Sequence, residues 1–405
     1  MQTRAGTRPA RGDLARHWCL DPCVTYLNHG SFGACPAPVL EEQGRLRALL
    51  EADPMAFYFD TGPRLWQSAL AALAGFLSAD VAGLAFVTNA STGVNTVLRS
   101  LRLEPGDEIL LFDHEYQACR NAVERTCRDS GAVPVVVPLP FPGIDEGDIV
   151  ERMTRAVTSR TRLALFDTVT SPTGIRLPFE RLTAEIQGRG IDVLLDAAHG
   201  PGIVPLNLAS LGAAYVTGNC HKWLCTPKSS GFLHVRSDRR ERVEPLVTSH
   251  GYSAAVPPEE RFRRQFDWPG TQDLTPWLCI PRGIEFVGNL LAGGWHEVMA
   301  RNRTLALRAR EILAHALRVK ERLPAALCSA MTALPIPALA SASGATVLDG
   351  DPLMRVLYER YGVQVIVLGW PAHGARYVRV SAALYNTEAE FEYLARALDE
   401  LGAHW

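Results

Sequence analysis

The sequence predicts an α/β protein: a large, doubly wound, mostly parallel sheet domain with a smaller C-terminal α+β domain. Three observations predict it. Short apolar runs at 84–87, 108–112 and 163–166 lack polar alternation, as strands covered by helices on both faces do. Helical segments lie between successive runs, the βαβ rhythm of a parallel sheet. That rhythm stops after Val235, where residues 237–275 turn polar, Arg- and Pro-rich and irregular.

The composition narrows the class. The chain has 405 residues, 47% of them hydrophobic and 21% charged, with a net charge of −2. This suits a large soluble enzyme and lacks the basic excess of a nucleic-acid binder. No apolar run reaches the roughly 18 residues of a membrane span. The Arg-rich segment 1–14 has no apolar stretch, so it reads as an arm and not as a secretory signal. The nine cysteines are odd in number and scattered, and Cys19 and Cys23 find no second pair to complete a zinc pattern. A cytoplasmic protein with reduced thiols and no metal is expected.

In chain order, residues 24–35 read as a short strand breaking into a Gly-containing polar turn. Pro36 and Pro38 then lead a helix from about Val39. Leu65, Leu70, Leu73, Phe76 and Leu77 recur at helical spacing over 63–78. Strands follow at 84–87, 108–112, 133–137, 163–166, 193–195, 213–216 and 231–235, seven in all. Helices at 91–101, 118–130, 151–157 and 179–189 separate the first five. After the irregular stretch come helices at 281–290 and 297–319. Strand-like pieces at 345–348, 363–368 and 377–381 and helices at 352–360 and 388–401 complete the smaller unit. The expected division is an N-terminal arm and active-site loop (1–30), a large domain (31–285) and a small one (286–405), with the ligand cleft at the junction.

Ligands of open α/β sheets bind beyond the carboxyl ends of the strands. After 84–87 stands Thr88-Asn89-Ala90-Ser91-Thr92-Gly93, either a plain helix cap or a phosphate cradle. After 108–112 stands Asp113-His114-Glu115-Tyr116, whose tyrosine either packs or stacks on a flat cofactor. After 193–195 stands Asp196-Ala197-Ala198-His199. A strand-end acid is costly without a cationic partner; it could hold a pyridinium proton or cap a helix. After 213–216, the turn Gly218 to His221 presents Lys222 just before another apolar strand. A lysine there is either solvated on a surface turn or desolvated, and desolvation favours the neutral amine that forms Schiff bases. Singly these signals are weak. Their order (phosphate cradle, aromatic, acid, lysine) is the signature of pyridoxal phosphate (PLP) binding.

These motifs, with Leu27-Asn28-His29-Gly30-Ser31-Phe32-Gly33, Ser171-Pro172-Thr173-Gly174, Gly270-Thr271, Arg379-Val380-Ser381 and Tyr385-Asn386-Thr387, span nearly the whole chain. Together they resemble the class V aminotransferase family of PLP fold type I, and within it the isopenicillin N epimerase-like branch. Cysteine desulfurases are more distant relatives. The resemblance implies a cofactor, pyridoxal 5'-phosphate, in a seven-stranded large domain. Lys222 would carry it as a Schiff base and move the Cα proton. Asp196 would pair with the ring nitrogen, Tyr116 stack on the ring, and His199 reach its hydroxyl. Ser91, Thr92, Asn219 and His221 would hold the phosphate. Thr271 would serve the partner subunit's phosphate, which implies an obligate homodimer. Arg379 would take the carboxylate of an amino-acid substrate, and Asn28, His29 and Ser31 would line the substrate mouth. Ser171, expected at the cofactor, stands where the desulfurase-like relatives carry Asn.

The expected activity is a lyase or epimerase of amino-acid or specialised metabolism: β-elimination from an S-substituted cysteine, or epimerisation with His29 as the second acid/base. Transamination and decarboxylation are the alternatives. Desulfurases carry a nucleophilic cysteine shortly before the C-terminal arginine. Residues 362–379 here contain none, and Trp370 and His373 occupy that loop, which argues against persulfide formation.

Overall fold

The apolar runs become strands wherever helices can cover them. The computed structural model describes residues 8–337, 350–369 and 375–402. Among these the strands are β1 (Thr25–Tyr26), β2 (Leu84–Val87), β3 (Glu108–Phe112), β4 (Val133–Val137), β5 (Thr161–Asp167), β6 (Asp192–Ala197), β7 (Tyr215–Asn219), β8 (Gly231–Val235), β9 (Met331–Ile336), β10 (Val363–Gln364), β11 (Ile366–Gly369) and β12 (Arg376–Ser381). A seven-stranded sheet runs in the order β2-β8-β7-β6-β5-β3-β4. Only β8 is antiparallel to its neighbours. Every residue of β2, β3, β7 and β8 is buried, which accounts for their unbroken apolar sequence. The edge strand β4 leaves Val133 and Val136 exposed. One apolar core lies on each face of this sheet.

Local chemistry sets the helix that aims at the site. The Asn89 side chain accepts a hydrogen bond from the Thr92 N–H (2.9 Å) and starts the helix Ala90–Ser100. Gly93 lets that helix lie directly on the sheet, because any Cβ there would overlap the Thr217 side chain on β7.

A second sheet, β11-β12-β9, is antiparallel. It shares its own core with the helices Gly294–Ala316 and Glu388–Leu401, and Leu27 from the N-terminal segment joins that core. Strand β1 pairs with β10 in parallel. The loop that follows it is thereby fastened to the C-terminal unit. Two elements escaped the sequence reading. β9 contains Pro335, which argues against a strand, yet it sits at a sheet edge where a missing N–H is tolerated. The helix Pro258–Phe266, inside the stretch read as irregular, is mostly charged and buries only Phe262, Gln265 and Phe266. The strand expected at 345–348 lies outside the described residues. Among the described residues no helix is long and apolar enough to cross a membrane.

Candidate active site

The carboxyl ends of β2, β3, β5, β6 and β7 converge on Lys222, which leaves β7 through a short turn. Its Nζ lies 3.0 Å from His199 Nε2. The Trp223 indole N–H donates to His199 Nδ1 (3.3 Å). Indole can only donate, so Nδ1 is unprotonated, and a neutral imidazole then carries its proton on Nε2. His199 is buried, and desolvation holds its pKa well below the ordinary range. The Nε2–H therefore points at Lys222 Nζ, which must offer a lone pair. Burial, with the Arg379 charge, brings the Lys222 pKa down to about 8. The turn thus presents a nucleophilic amine.

Asp196 is buried at the end of β6; its Oδ1 accepts from the Ala198 N–H (2.7 Å) and its Oδ2 from the Cys119 thiol (3.3 Å). Among the described residues no lysine or arginine forms an ion pair with it. Instead it lies among other acids. Asp167 is its register partner on β5, also buried, and Glu115, Cys119 and Asp196 bring ligand atoms within 4.8 Å of one another. Burial raises the Asp196 pKa, and burial with mutual repulsion raises those of Glu115 and Asp167 well above the carboxylate range. Tyr116 opens the next helix and keeps 42% of its surface exposed, so its ring is not packed away.

The opposite charge stands across the site. Arg379 on β12 is buried, and its Nε has no hydrogen-bond partner. Nη1 donates to the Ser171 backbone carbonyl and, at 3.5 Å, to its hydroxyl; Nη2 donates to Ser31 Oγ (2.9 Å) and Asn28 Oδ1 (3.4 Å). Among the described residues no carboxylate neutralises it, and burial lowers its pKa to about 10. Asn28, Ser31, Ser171 and Arg379 therefore form one constellation suited to a carboxylate. Ser171 belongs to this group by contact.

His29 also departs from expectation. It is buried, its Nδ1 is 2.9 Å from the Tyr385 hydroxyl, and its Nε2 is 3.0 Å from the Lys222 carbonyl oxygen. The carbonyl only accepts, so Nε2 carries the proton and Nδ1 accepts from Tyr385. Both nitrogens are engaged, and burial holds the pKa at about 3. His29 thus ties the N-terminal loop to the lysine turn through both ring nitrogens. The same approach requires Gly33, whose Cβ would clash with the His221 carbonyl.

At the helix start, Asn219 Oδ1 accepts from the Ala90 N–H (2.9 Å), and the Thr92 hydroxyl is shared with Thr88 (2.7 Å). Among the described residues the Ser91 hydroxyl has no partner. His221 donates Nδ1–H to the Ser230 carbonyl (2.9 Å), which leaves Nε2 open. Thr271 lies apart from these contacts, exposed on a loop braced by Tyr58, whose hydroxyl donates to the Gln272 carbonyl (2.8 Å). Trp370 and His373 lie outside the described residues.

This donor set fits PLP end by end. A buried acid without a cation suits a protonated ring nitrogen, a lysine near neutrality suits its aldehyde, and a helix N-terminus flanked by Ser91 and His221 suits its phosphate. The sequence reading gave no role to Glu115, Cys119, Asp167, Trp223 and Tyr385. Glu115 was detectable from its place just after β3 and Asp167 from its place at a strand end. The Trp223 and Tyr385 contacts are tertiary and leave no local signal.

The sequence model of the family "Aminotransferase class-V" matches residues 64–394. The chain is 39% identical over 396 residues to isopenicillin N epimerase of Amycolatopsis lactamdurans, covering 94% of this chain and 96% of that protein. It is 31% identical to a putative L-cysteine desulfhydrase of Oryza sativa subsp. japonica, covering 94% of this chain and 83% of that one. Among solved structures, a mutant of the enzyme C-DES with glycine covalently linked to its PLP cofactor superposes with a TM-score of 0.80 at 18% identity, covering 96% and 99% of the two chains. The chain belongs to the class V aminotransferase family of PLP-dependent, fold type I enzymes.

Proposed function

We propose that this enzyme removes the Cα proton of an amino-acid substrate and eliminates a sulfur-linked β-substituent, as a C–S lyase of amino-acid or specialised metabolism. The observation that supports this reading is that, among the described residues, Lys222 offers a buried amine whose pKa burial and the Arg379 charge bring down to about 8. Its two histidine neighbours are held neutral, one ring by Trp223 and the other by Tyr385. Elimination needs one base; epimerisation needs a proton delivered to the other face.

When bound, PLP supplies an electron sink for the pair left at Cα. Asp196 would hold the ring nitrogen's proton, Tyr116 would cover the ring, and His199 would face its hydroxyl. Ser91, Thr92, Asn219 and His221 would fix the phosphate end. Arg379, steadied by Asn28, Ser31 and Ser171, would grip the substrate carboxylate. Displaced by the substrate's amino group, Lys222 is a positioned amine that takes the Cα proton. The Cβ–S bond then breaks with its electron pair leaving on sulfur, and the released enamine adds water to give pyruvate and ammonia.

A second reading, epimerisation, is favoured by the 39% identity to isopenicillin N epimerase. Incubation with S-alkyl cysteines and other amino acids in deuterated water separates the two. Pyruvate with thiol supports elimination, Cα exchange with inversion supports epimerisation, and neither product would sink both.

The same reading includes a homodimer in which Thr271 serves the partner subunit's phosphate. Exposed Met55 and Phe59 beside Tyr58 supply an apolar surface near that loop. Light scattering that finds a monomer in the PLP-loaded protein would overturn it.

A further inference from the structure

The steps above leave Glu115 and Cys119 without a task, although both lie against Asp196. Glu115 stands just before the helix Gln117–Ser130 and Cys119 in its first turn, and their ligand atoms lie within 4.8 Å of each other and of Asp196. The Cys119 thiol donates to Asp196 Oδ2, and the Tyr116 N–H donates to Glu115 Oε1 (3.1 Å). Glu115 Oε2 is buried with no partner. An ionised oxygen left so would cost several kcal/mol. Two carboxylates this close in a buried site do not both ionise. Every charged group around Glu115 can be named. Asp196 and Asp167 repel its charge. Arg120 attracts that charge but donates to the Asp113 carbonyl (3.2 Å) and forms no ion pair with Glu115, and the Lys222 charge acts on Asp167 and Asp196. Asp196, with a donor on each oxygen, is the member best able to keep a charge.

We propose that Glu115 is held as a neutral carboxylic acid and, with Cys119, is a positioning residue for Asp196. Its protonated Oε2 donates into the Cys119–Asp196 pair, so that Asp196 alone presents a negative charge to the cofactor's ring nitrogen. Glu115 itself touches neither substrate nor cofactor. The proposal rests on PLP being the cofactor but not on which substrate bond breaks.

The test is infrared difference spectroscopy of wild type, Glu115→Gln and Asp167→Asn at about pH 8, where an ordinary glutamate is ionised, before and after PLP loading and without substrate. Glu115→Gln should remove a carboxylic-acid C=O stretch, and Asp167→Asn should leave that band in place. Because Gln also donates, Glu115→Gln should keep the PLP dissociation constant, and the pH midpoint of the cofactor's visible absorption, within about twofold. Glu115→Ala, which removes the donor, should weaken PLP binding about tenfold and move that midpoint. Loss of a carboxylate stretch instead of an acid stretch in Glu115→Gln would overturn the proposal. So would PLP loss from Glu115→Gln as severe as from Glu115→Ala. Should Glu115→Ala fail to fold, the infrared result decides alone, and no substrate turnover enters it.

Discussion

Among the described residues the site contains two buried charge centres of opposite sign, each without a counter-ion. On the sheet side Glu115, Asp167 and Asp196 crowd together with no cation paired to Asp196. On the C-terminal side Arg379 is buried with an unused Nε and no acid. An unpaired buried charge is costly, and natural proteins keep one where a ligand completes it. The two centres do so differently. Glu115 and Asp167 lower their cost by holding protons, the direction in which burial and mutual repulsion push them, while Asp196 keeps a donor on each oxygen. Arg379 cannot shed its proton near neutrality and instead leans on neutral acceptors, Ser171, Ser31 and Asn28. The contrast matches the proposed ligands, a cationic ring nitrogen on one side and a carboxylate on the other. Lys222 lies between, lowered by Arg379 and raised by Asp196 and Asp167.

The largest expected effect comes from neutralising the acid side. Asp196→Asn keeps the shape but cannot hold the ring nitrogen protonated, so kcat should fall about 10³-fold and the visible spectrum of the loaded enzyme should change. Arg379→Gln should be milder, about 10²-fold in kcat/KM, mostly through KM, with the spectrum of the substrate-free enzyme unchanged. Steady-state kinetics and absorption spectra on both variants check the pair. A spectral change in Arg379→Gln matching that of Asp196→Asn would mean the two centres are not separate.

The same contrast marks what was legible in the sequence. The acid side is local: strand ends, helix starts and the lysine turn are read from apolar runs and the polar residues just after them. The seven strands and the order Ser91, Tyr116, Asp196, Lys222 were visible for that reason. The carboxylate side is assembled from positions far apart in the chain, Asn28 to Ser31, Ser171 and Arg379. Resemblance pointed to Arg379, but only packing shows that Ser171 faces the guanidinium. The contacts of His29 were hidden for a related cause. A histidine beside a predicted active-site loop looks reactive until Tyr385 and the Lys222 carbonyl are found on its two nitrogens.

Acidity should affect the two kinds of buried group with opposite sign. His29, His221 and His234 have pKa values held at about 3, 4 and 4 by burial. Below the ordinary histidine value of about 6.5 the unfolded chain binds more protons than the folded one, so their contribution to stability is complete above about pH 6.5 and shrinks as pH falls towards 4. The raised acids act in reverse: folded protein binds more protons than unfolded, and stability falls as pH rises from about 4 through their folded values. PLP answers only the second effect, because its ring nitrogen compensates the acids. Stabilisation by PLP, measured as the Tm difference between loaded and unloaded protein, should therefore be a few degrees larger at about pH 8 than at about pH 5. An equal difference at both would mean that the acid side is not a cation site.

The smallest effect on chemistry is expected at His29, and it separates a bracing residue from a reacting one. His29→Gln loses one or both of two buried hydrogen bonds, each worth about 1 kcal/mol net and more if the partner is left unsatisfied. Stability should therefore fall by about 1–3 kcal/mol, read as a lower Tm. The base, Lys222, is untouched, so Cα–H exchange into deuterated water should stay within about threefold once the variant is loaded with PLP. A second base would behave otherwise: removing it should cost about 10²-fold or more in inversion while exchange on the lysine face persists. A variant with unchanged Tm and lost inversion would return His29 to the chemistry and favour epimerisation. A destabilised variant with normal exchange would leave His29 as the clasp between the N-terminal loop and the lysine turn.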